Sequence, residues 1–537
     1  MTYLTPPTAY PYKEGNLFLG LGPNGDVGVS LERHAITVAG ARSGKGACAI
    51  IPNLLRWPHS ALVIDPKGEN AVETYKTRGT FSGAFYVLDP FRTADVPDTA
   101  RAAFNPLAAI STDSLTARED VEVIADGLVK RSDPKHAQWD DGAAAILAGL
   151  IAFVITDAPE DKRTLKSVRG ILLQSRDDLY NDAQSMLECD GCGGLAKAAG
   201  VAIMTAIESE KGMEQEFLEG ARRHSKWLDS PAVSSVLDHS TFDLADLKKK
   251  PTTVYVVLPP QYLETHAAFM RLFVRCAINV MAVGGSGKGE KCLFILDEFF
   301  ALGRIDEISK SCGLMPSYGV HLWPFLQDLG QLKNLYHGNL WETFFANSDA
   351  AMFFGNTDTT TTEYVSKRIG NVTPQELNVS PPTAPSSVES NQFLEKAIQA
   401  DYTDAMTEYN RRTREIGTPR LPPDKVASIV GKRDGDVVAS SMLVFAKGGD
   451  ILHLKLAPYF KPTTYIPPQP VIQQQPPINL TPRQDDLKSR WEVARKAREE
   501  EGKRNLRNTI LAYGIAAIIA LFVIRWLLKT IFPLWFG

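Results

Sequence analysis

Residues 34–69 constrain the fold of this chain more than any other stretch. They run His34-Ala-Ile-Thr-Val-Ala-Gly-Ala-Arg-Ser-Gly-Lys-Gly46, then an apolar run of helical character at 47–55, then Ala61-Leu-Val-Ile-Asp-Pro-Lys-Gly-Glu69. A short β-type run at 35–38 leads into a turn carrying Gly40, Gly44 and Gly46. Strand, glycine loop and helix in that order build a phosphate cradle. The glycines let backbone N–H groups converge on phosphate oxygens, the helix N-terminus adds partial positive charge, and Lys45 reaches the terminal phosphates. Gly40, Ala41, Arg42, Ser43, Gly44, Lys45 and Gly46 are therefore the candidate nucleotide-binding residues. Ala39 stands where the general pattern has its first glycine. Gly46 stands where it has a hydroxyl, which removes one usual magnesium ligand. An ordinary tight turn is the plain alternative.

A second stretch, Gly284-Gly-Ser-Gly-Lys-Gly289, has nearly the same letters. It follows a helical run at 266–283 and precedes a strand at 291–296, the wrong order for a phosphate cradle. It is expected to be a surface turn. The strand after it ends in Asp297-Glu298. A continuous apolar run is the mark of a buried parallel strand, and ligands bind at the carboxyl ends of such strands. Asp297 is placed to serve magnesium and Glu298 to polarise an attacking water as general base. Together with the loop at Lys45, the pair points to a nucleotide site that uses Mg2+.

A length of 537 residues gives a prior of three or four domains. With 44% hydrophobic and 22% charged residues the chain is an ordinary globular one. A net charge of −4 excludes a global basic field for nucleic acid. Any such surface must be local, and Arg222-Arg223 with Lys226, Lys248-Lys-Lys250, and Arg411-Arg412 with Arg414 are the candidates, each also readable as a solvated face. Six cysteines do not make a disulfide scaffold. Cys189-Asp-Gly-Cys192 would need two further ligands to bind zinc; His224 and His239 are available in sequence, and reduced thiols are the expectation. Residues 1–15 are polar and proline-rich without an apolar core, so the bulk of the chain is expected in the cytoplasm.

Textural changes divide the chain. Residues 1–109 read as the first half of an α/β nucleotide-binding domain. Residues 110–240 lose β-type runs and show helical periodicity, as a separate all-α module. Strands resume over 241–462, the second half of the α/β domain, at 253–258, 292–297, 320–326 and 350–354, with late strands at 441–445 and 451–456. Alternating strands and helices imply a mainly parallel sheet. Residues 371–392 read as a long loop. Residues 463–508 read as a Pro/Gln linker with a charged juxtamembrane helix, and 509–532 as a transmembrane helix flanked by basic residues on its cytoplasmic side.

Taken together these motifs resemble the coupling proteins of type IV secretion systems, the TraG/TraD-like conjugative DNA-transfer ATPases. The likeness is carried by Arg42-Ser-Gly-Lys-Gly46 with Ile51-Pro-Asn-Leu-Leu55, Asp65-Pro-Lys-Gly-Glu69, Asp89-Pro-Phe91, Asn105-Pro-Leu107, Phe242-Asp243 with Asp246-Leu247, and Asp297-Glu-Phe-Phe-Ala-Leu-Gly303. Tyr318-Gly319, Gln327, Gln331-Leu332, Thr361-Thr362 and Ile369-Gly370 continue it, so that it runs over about 16–460. The glycine after Lys45 also looks like this family.

The resemblance implies a RecA-like P-loop motor core, an inserted all-α substrate-receiving domain and a homo-hexameric ring at the bacterial inner membrane. It implies delivery of relaxase–DNA complexes or protein effectors to a type IV secretion channel. On this chain it makes Lys45 a phosphate ligand, Asp297 the magnesium residue, Glu298 the base and Gln327 the sensor at the end of a neighbouring strand. Many members carry an arginine just before the Tyr-Gly pair. Met315-Pro316-Ser317 stands there, leaving Arg304 and Lys310 as candidates for that role. Members also usually carry their membrane anchor at the N-terminus, whereas the span expected here is C-terminal. A motor, a docking platform in which nucleotide only controls assembly, and a double-stranded DNA translocase are the three readings. The complete Asp297-Glu298 pair favours the motor.

Overall fold

The apolar runs form the strands they suggest, and their alternate residues face opposite sides of one sheet. The computed structural model describes residues 4–461 apart from 83, 132–136, 210–211, 284, 288, 373–381, 384–391 and 414–416. The described fold lies within one compact unit, Met1–Val471. Its strands are β1 (Leu17–Gly22), β2 (Gly25–Val29), β3 (His34–Ala39), β4 (Ser60–Asp65), β5 (Phe85–Leu88), β6 (Thr253–Val257), β7 (Cys292–Leu296), β8 (Val320–Leu326), β9 (Ser348–Phe354), β10 (Ser441–Ala446) and β11 (Ile451–Lys455). They make an 11-stranded sheet in the order β2-β1-β11-β10-β9-β3-β8-β7-β4-β6-β5. From β9 to β5 every neighbouring pair is parallel, as the alternation of strands and helices requires. From β2 to β9 the pairs are antiparallel, an edge built from the start of the described chain and from the two late strands, which pair with each other.

The central parallel strands are buried along their whole length. One face of the sheet carries Ile36, Val38, Leu62, Ile64, Val254, Val256, Phe294 and Leu296, and these join the larger core. Ala35, Ala39, Ala61, Val63, Tyr255, Leu293, Ile295, Trp323 and Phe325 join a second core on the other face. Short helices α1 (Ile51–Leu54) and α2 (Glu69–Ser82) follow β3 and β4.

Between β5 and β6 lie α3 (Ala117–Leu128), α4 (Ala137–Asp157), α5 (Leu165–Leu172), α6 (Arg176–Met186), α7 (Gly191–Glu208), α8 (Met213–His224), α9 (Pro231–Leu237) and α10 (Asp246–Lys249), with no strand among the described residues. In α3 the apolar residues Val121, Ile124, Ala125 and Leu128 fall at i, i+3, i+4 and i+7, one stripe of a helix, and all are buried. Helix α4 is apolar on all sides. Its most apolar window is 72% buried, which marks the central helix of this segment, though by length and composition alone it is long and apolar enough to cross a membrane. The buried residues of α3–α9 belong to the same core as one face of the sheet. The seam is made with α11 (Leu263–Ala282), the crossover helix between β6 and β7. There Trp227 and Phe269 stand 6.4 Å apart, and Phe104 and Phe273 5.6 Å. Past β7 comes α12 (Asp306–Ser311).

Most of the long loop expected at 371–392, and the linker, charged helix and span expected from 463 onward, lie outside the described residues.

Candidate nucleotide site

Strand β8 lies between β3 and β7. The three loops that leave the carboxyl ends of these strands therefore meet. They carry Lys45, Asp297 with Glu298, and Gln327.

The first loop is held tightly. The Gly40 amide donates to Phe354 O at 3.1 Å and the Cys48 amide to Gly44 O at 2.8 Å. The Ser43 hydroxyl donates back to Gly40 O at 2.6 Å. A Cβ on Gly40 would lie 2.1 Å from Gly355 O, so only glycine lets the two loops approach. Gly44 needs its freedom for another reason, a φ of +101°; Arg42, at φ 56°, takes the left-handed region without it. Ala39 is the last residue of β3 and pairs with Phe354, which explains why a strand residue occupies the pattern's first glycine position. The helix after the loop does not begin as an α-helix: Gly46–Ile50 is a π turn, and regular geometry starts at α1.

Lys45 Nζ stands 3.0 Å from Glu298 Oε1 and 3.7 Å from Asp297 Oδ1. Gln327 donates from Nε2 to the other Glu298 oxygen at 3.2 Å. The four side chains named from sequence for phosphate, metal, base and sensor roles thus form one cluster. Glu298 sits in the left-handed region (φ 52°, ψ 46°), and its amide donates to Asp297 Oδ1 at 3.0 Å. Non-glycine residues held there are rare and concentrate at functional sites. Burial pushes the Asp297 carboxyl up, and Lys45 beside it pulls it back down.

The structure adds residues that sequence reasoning did not assign. Asp65 ends β4, the strand next to β7, and is fully buried. It accepts from Asn70 Nδ2 at 3.1 Å and from the Ala71 amide at 2.8 Å. Burial raises its carboxyl to about 7, against those hydrogen bonds and with a further push from Asp297. Asn356, after β9, donates to Gln327 O at 3.1 Å, and its buried Oδ1 has no partner among the described residues. Asp65 opens the Asp65-Pro-Lys-Gly-Glu69 stretch; Asn356 carries no local signal, because its place depends on β9 packing beside β3.

No group of three or more His, Cys, Asp or Glu among the described residues is close enough to hold a metal by itself. Magnesium commonly takes one or two carboxylates plus phosphate oxygens and water, so the Asp297–Glu298 pair at the mouth of a phosphate loop fits it without such a cage.

Several of the other candidates have structural partners. Arg222 binds Glu219 at 2.7 Å and Leu172 O at 2.9 Å. Lys248 caps α11 at Met281 O and Val283 O, Lys249 pairs with Asp243 at 2.6 Å and Lys250 with Asp246 at 3.1 Å. Arg411 pairs with Glu408 at 2.7 Å. Arg304 pairs with Asp306, and Lys310 shares a cleft of about 580 Å³ with it and with Arg271 and Arg275. Cys189 and Cys192 are buried, while His224 stands beside Asp140, 3.6 Å away, on another helix. The second glycine stretch does connect a helix to a strand, α11 to β7; Lys288 itself lies outside the described residues.

A mainly parallel sheet with a glycine loop after one strand and paired carboxylates two strands away defines a mixed α/β fold with its candidate site at the carboxyl ends of the strands. Residues 4–470 match the family model for type IV secretory system conjugative DNA transfer, and the chain belongs to that family. It is 28% identical over 350 residues to a probable conjugal transfer protein TraG of Sinorhizobium fredii, covering 63% of this chain and 52% of that one. To protein VirD4 of Agrobacterium fabrum it is 25% identical over 444 residues, covering 80% and 58%. The chain thus spans roughly half to three-fifths of the length of these relatives. Among solved structures it shares its fold with the bacterial conjugative coupling protein TrwBdeltaN70, in trigonal form with sulphate (TM-score 0.60, 14% identity, 87% of this chain and 94% of that one). The plasmid coupling protein TrwB in complex with ADP and Mg2+ matches at a TM-score of 0.59 and 14% identity, covering 87% and 93%.

Proposed function

We propose that this protein is an ATP-driven coupling protein. It delivers relaxase–DNA complexes or protein effectors to a type IV secretion channel at the bacterial inner membrane. The observation that carries this reading is the convergence of Lys45, Asp297, Glu298 and Gln327 at the ends of three adjacent strands. A binding platform has no use for a water-activating carboxylate; a motor does.

The residues take these roles. Amides of 40–46 and the Lys45 ammonium hold the β- and γ-phosphates. Lys45, which pairs with Glu298 in this structure, exchanges that carboxylate for phosphate, freeing Glu298 to accept a proton from water. Asp297 would hold the magnesium ion, which when bound would neutralise charge on the phosphates. Gln327, bonded to Glu298 and anchored through its carbonyl to Asn356, orients the carboxylate and reports on the phosphate beside it. TrwB, which shares the fold, has been solved with ADP and Mg2+ and with ATP and GTP analogues, which supports the same cofactors here.

Residues 1–109 and 241–462 form the motor, 110–240 receive cargo, and the active unit is a homo-hexamer. Residues 509–532 anchor the chain in the membrane with the motor in the cytoplasm. Ile510–Ile524 lack charge, and Arg525 and Lys529 lie where they can snorkel to the interface. Carbonate extraction tests the anchor: the full chain stays with membranes while a chain ending at Asn508 is released, and release of both removes the span.

The hydrolytic reading is tested with two variants. Lys45→Ala abolishes ATP turnover and leaves the melting profile intact. Glu298→Gln binds ATP but turns it over about a hundredfold more slowly, the scale of a lost general base. Full turnover in Glu298→Gln transfers the assignment to the docking-platform reading.

A further inference from the structure

Helix α11 carries Arg271, Arg275 and Asn279 at i, i+4 and i+8, one polar line along the otherwise apolar stretch 267–282. All three reach α3. Asn279 donates to Asp120 at 3.0 Å, and Arg275 to Asp126 at 3.2 Å. Arg275 also stands 3.7 Å from Glu307 of α12.

Arg271 is the buried member, 3% exposed. Its Nε donates to Gly127 O at 3.1 Å and one terminal nitrogen to Leu128 O at 3.3 Å. These are carbonyls of the last turn of α3, which have no partner inside their own helix and carry its partial negative charge. The other terminal nitrogen donates to Leu302 O at 3.0 Å. Leu302 closes the turn Phe299–Leu302, and the residue before that turn is Glu298. One planar guanidinium thus ties the end of a helix in the inserted segment to the backbone that presents the candidate base. Burial lowers Arg271 only to about 10, so it stays charged at neutral pH.

We propose that Arg271 is a positioning residue that couples the helical segment to ATP turnover: it holds the Glu298-bearing turn in register with α3, so that a displacement of α3 moves Glu298. The proposal rests on the hydrolytic reading of the site. The cluster has the form the coupling needs. Glu298 reaches Lys45 from a left-handed backbone fixed on one side by β7 and on the other by Leu302. Backbone strain of that kind persists only while its surroundings over-determine it. A second contact lies in the same seam. A Cβ on Gly127 would stand 3.2 Å from Leu272 Cδ1 and 3.3 Å from Leu272 Cα, so the α3–α11 approach is set at a glycine.

The test uses the full-length chain and two variants that leave the residues of the nucleotide site untouched. Arg271→Lys keeps the charge but loses the fork geometry. Gly127→Ala pushes the α3–α11 seam open by a few tenths of an ångström. Both are expected to lower kcat about tenfold or more while the dissociation constant for ADP stays within about twofold, since the phosphate loop is not touched. A second readout follows amide exchange. In the wild type, adding ADP changes protection at 299–303 and also at 126–129; in Arg271→Lys the change at 299–303 remains and the change at 126–129 is lost. Unchanged kcat in both variants, or undiminished transmission to 126–129 in Arg271→Lys, overturns the coupling. Parallel loss of ADP binding and kcat also overturns it, leaving a structural role only. Absence of Lys45-dependent turnover in the wild type instead overturns the hydrolytic reading on which the coupling rests.

Discussion

Gly46 occupies the position where phosphate loops usually supply a hydroxyl to magnesium. Its backbone does not require glycine: a Cβ there would meet nothing nearer than Asn70 Oδ1, at 3.8 Å. Gly46→Ser is therefore expected to fold normally and to bind nucleotide about two- to tenfold tighter in the presence of magnesium, the extra oxygen completing a hard-cation shell. Titration of a fluorescent ADP analogue with and without magnesium measures it. No change in magnesium dependence would mean that the ion sits away from this helix start. Gly40 is the contrasting case, since its absent Cβ is what admits Gly355. Lys45 and Glu298 were legible individually, because residue type and position after an apolar run carry the signal, whereas Gln327 was named through the family resemblance. The 3.0 Å Lys45–Glu298 contact was not, since it depends on which strands are neighbours.

At the scale of elements, the junction of β3 and β8 is sensitive to acid. His34 begins β3 with 2% exposure. Its Nδ1 accepts from the Leu322 amide at 3.0 Å, so Nε2 carries the proton and donates to Cys312 O at 2.6 Å. Both nitrogens are used by the neutral ring. Burial lowers the folded pKa from 6.5 to about 4, with the Cys312 carbonyl opposing. Between those values the unfolded chain takes up a proton that the folded chain refuses. The contribution is complete above pH about 6.5, falls as pH drops and is exhausted below about 4, a loss of about 3 kcal/mol. His321 of β8, whose Nδ1 stands 2.6 Å from Arg33 O, is lowered by burial as well and adds in the same direction. Urea unfolding at pH 7 and pH 4.5 is expected to show a smaller pH difference for His34→Gln than for the wild type. Equal differences would assign the acid sensitivity to carboxylates. Elements such as β2 and α6 were hard to read in advance: β2 is Gly-Asp-Val-Gly-Val, and α6 buries only Leu179, Ala183 and Met186. Strand β2 exists because β1 offers it an edge.

For the whole molecule, the helical segment and the sheet share one core. Leu128, Val121 and Ile124 of α3 are buried in the same cluster as Phe269, Leu272 and Phe273 of α11. Replacing residues 117–237 by a short linker is therefore expected to expose the apolar face of α11, at roughly 1.5–3 kcal/mol for each large side chain uncovered. The shortened chain should lose its cooperative thermal transition or aggregate. A shortened chain that melts cooperatively would show the segment to be an autonomous domain. Cargo binding by 110–240 is better probed by surface substitutions than by excision.

Local signals in the sequence carried the mixed α/β class, the loss of β-type runs between β5 and β6, and the positions of Lys45, Asp297 and Glu298, while Gln327 came through the family resemblance. Periodicity, apolar runs and glycine placement are local signals, and each is written within a dozen residues. Only the tertiary structure decided that β8 separates β3 from β7, that β1 and β2 join β10 and β11 in an antiparallel edge, and that Arg271 links α3 to the turn after Glu298. Those are pairings between segments far apart in the chain. They are selected by the joint burial of two sheet faces and by the need of backbone carbonyls and buried charges for partners, and no window of residues contains that information.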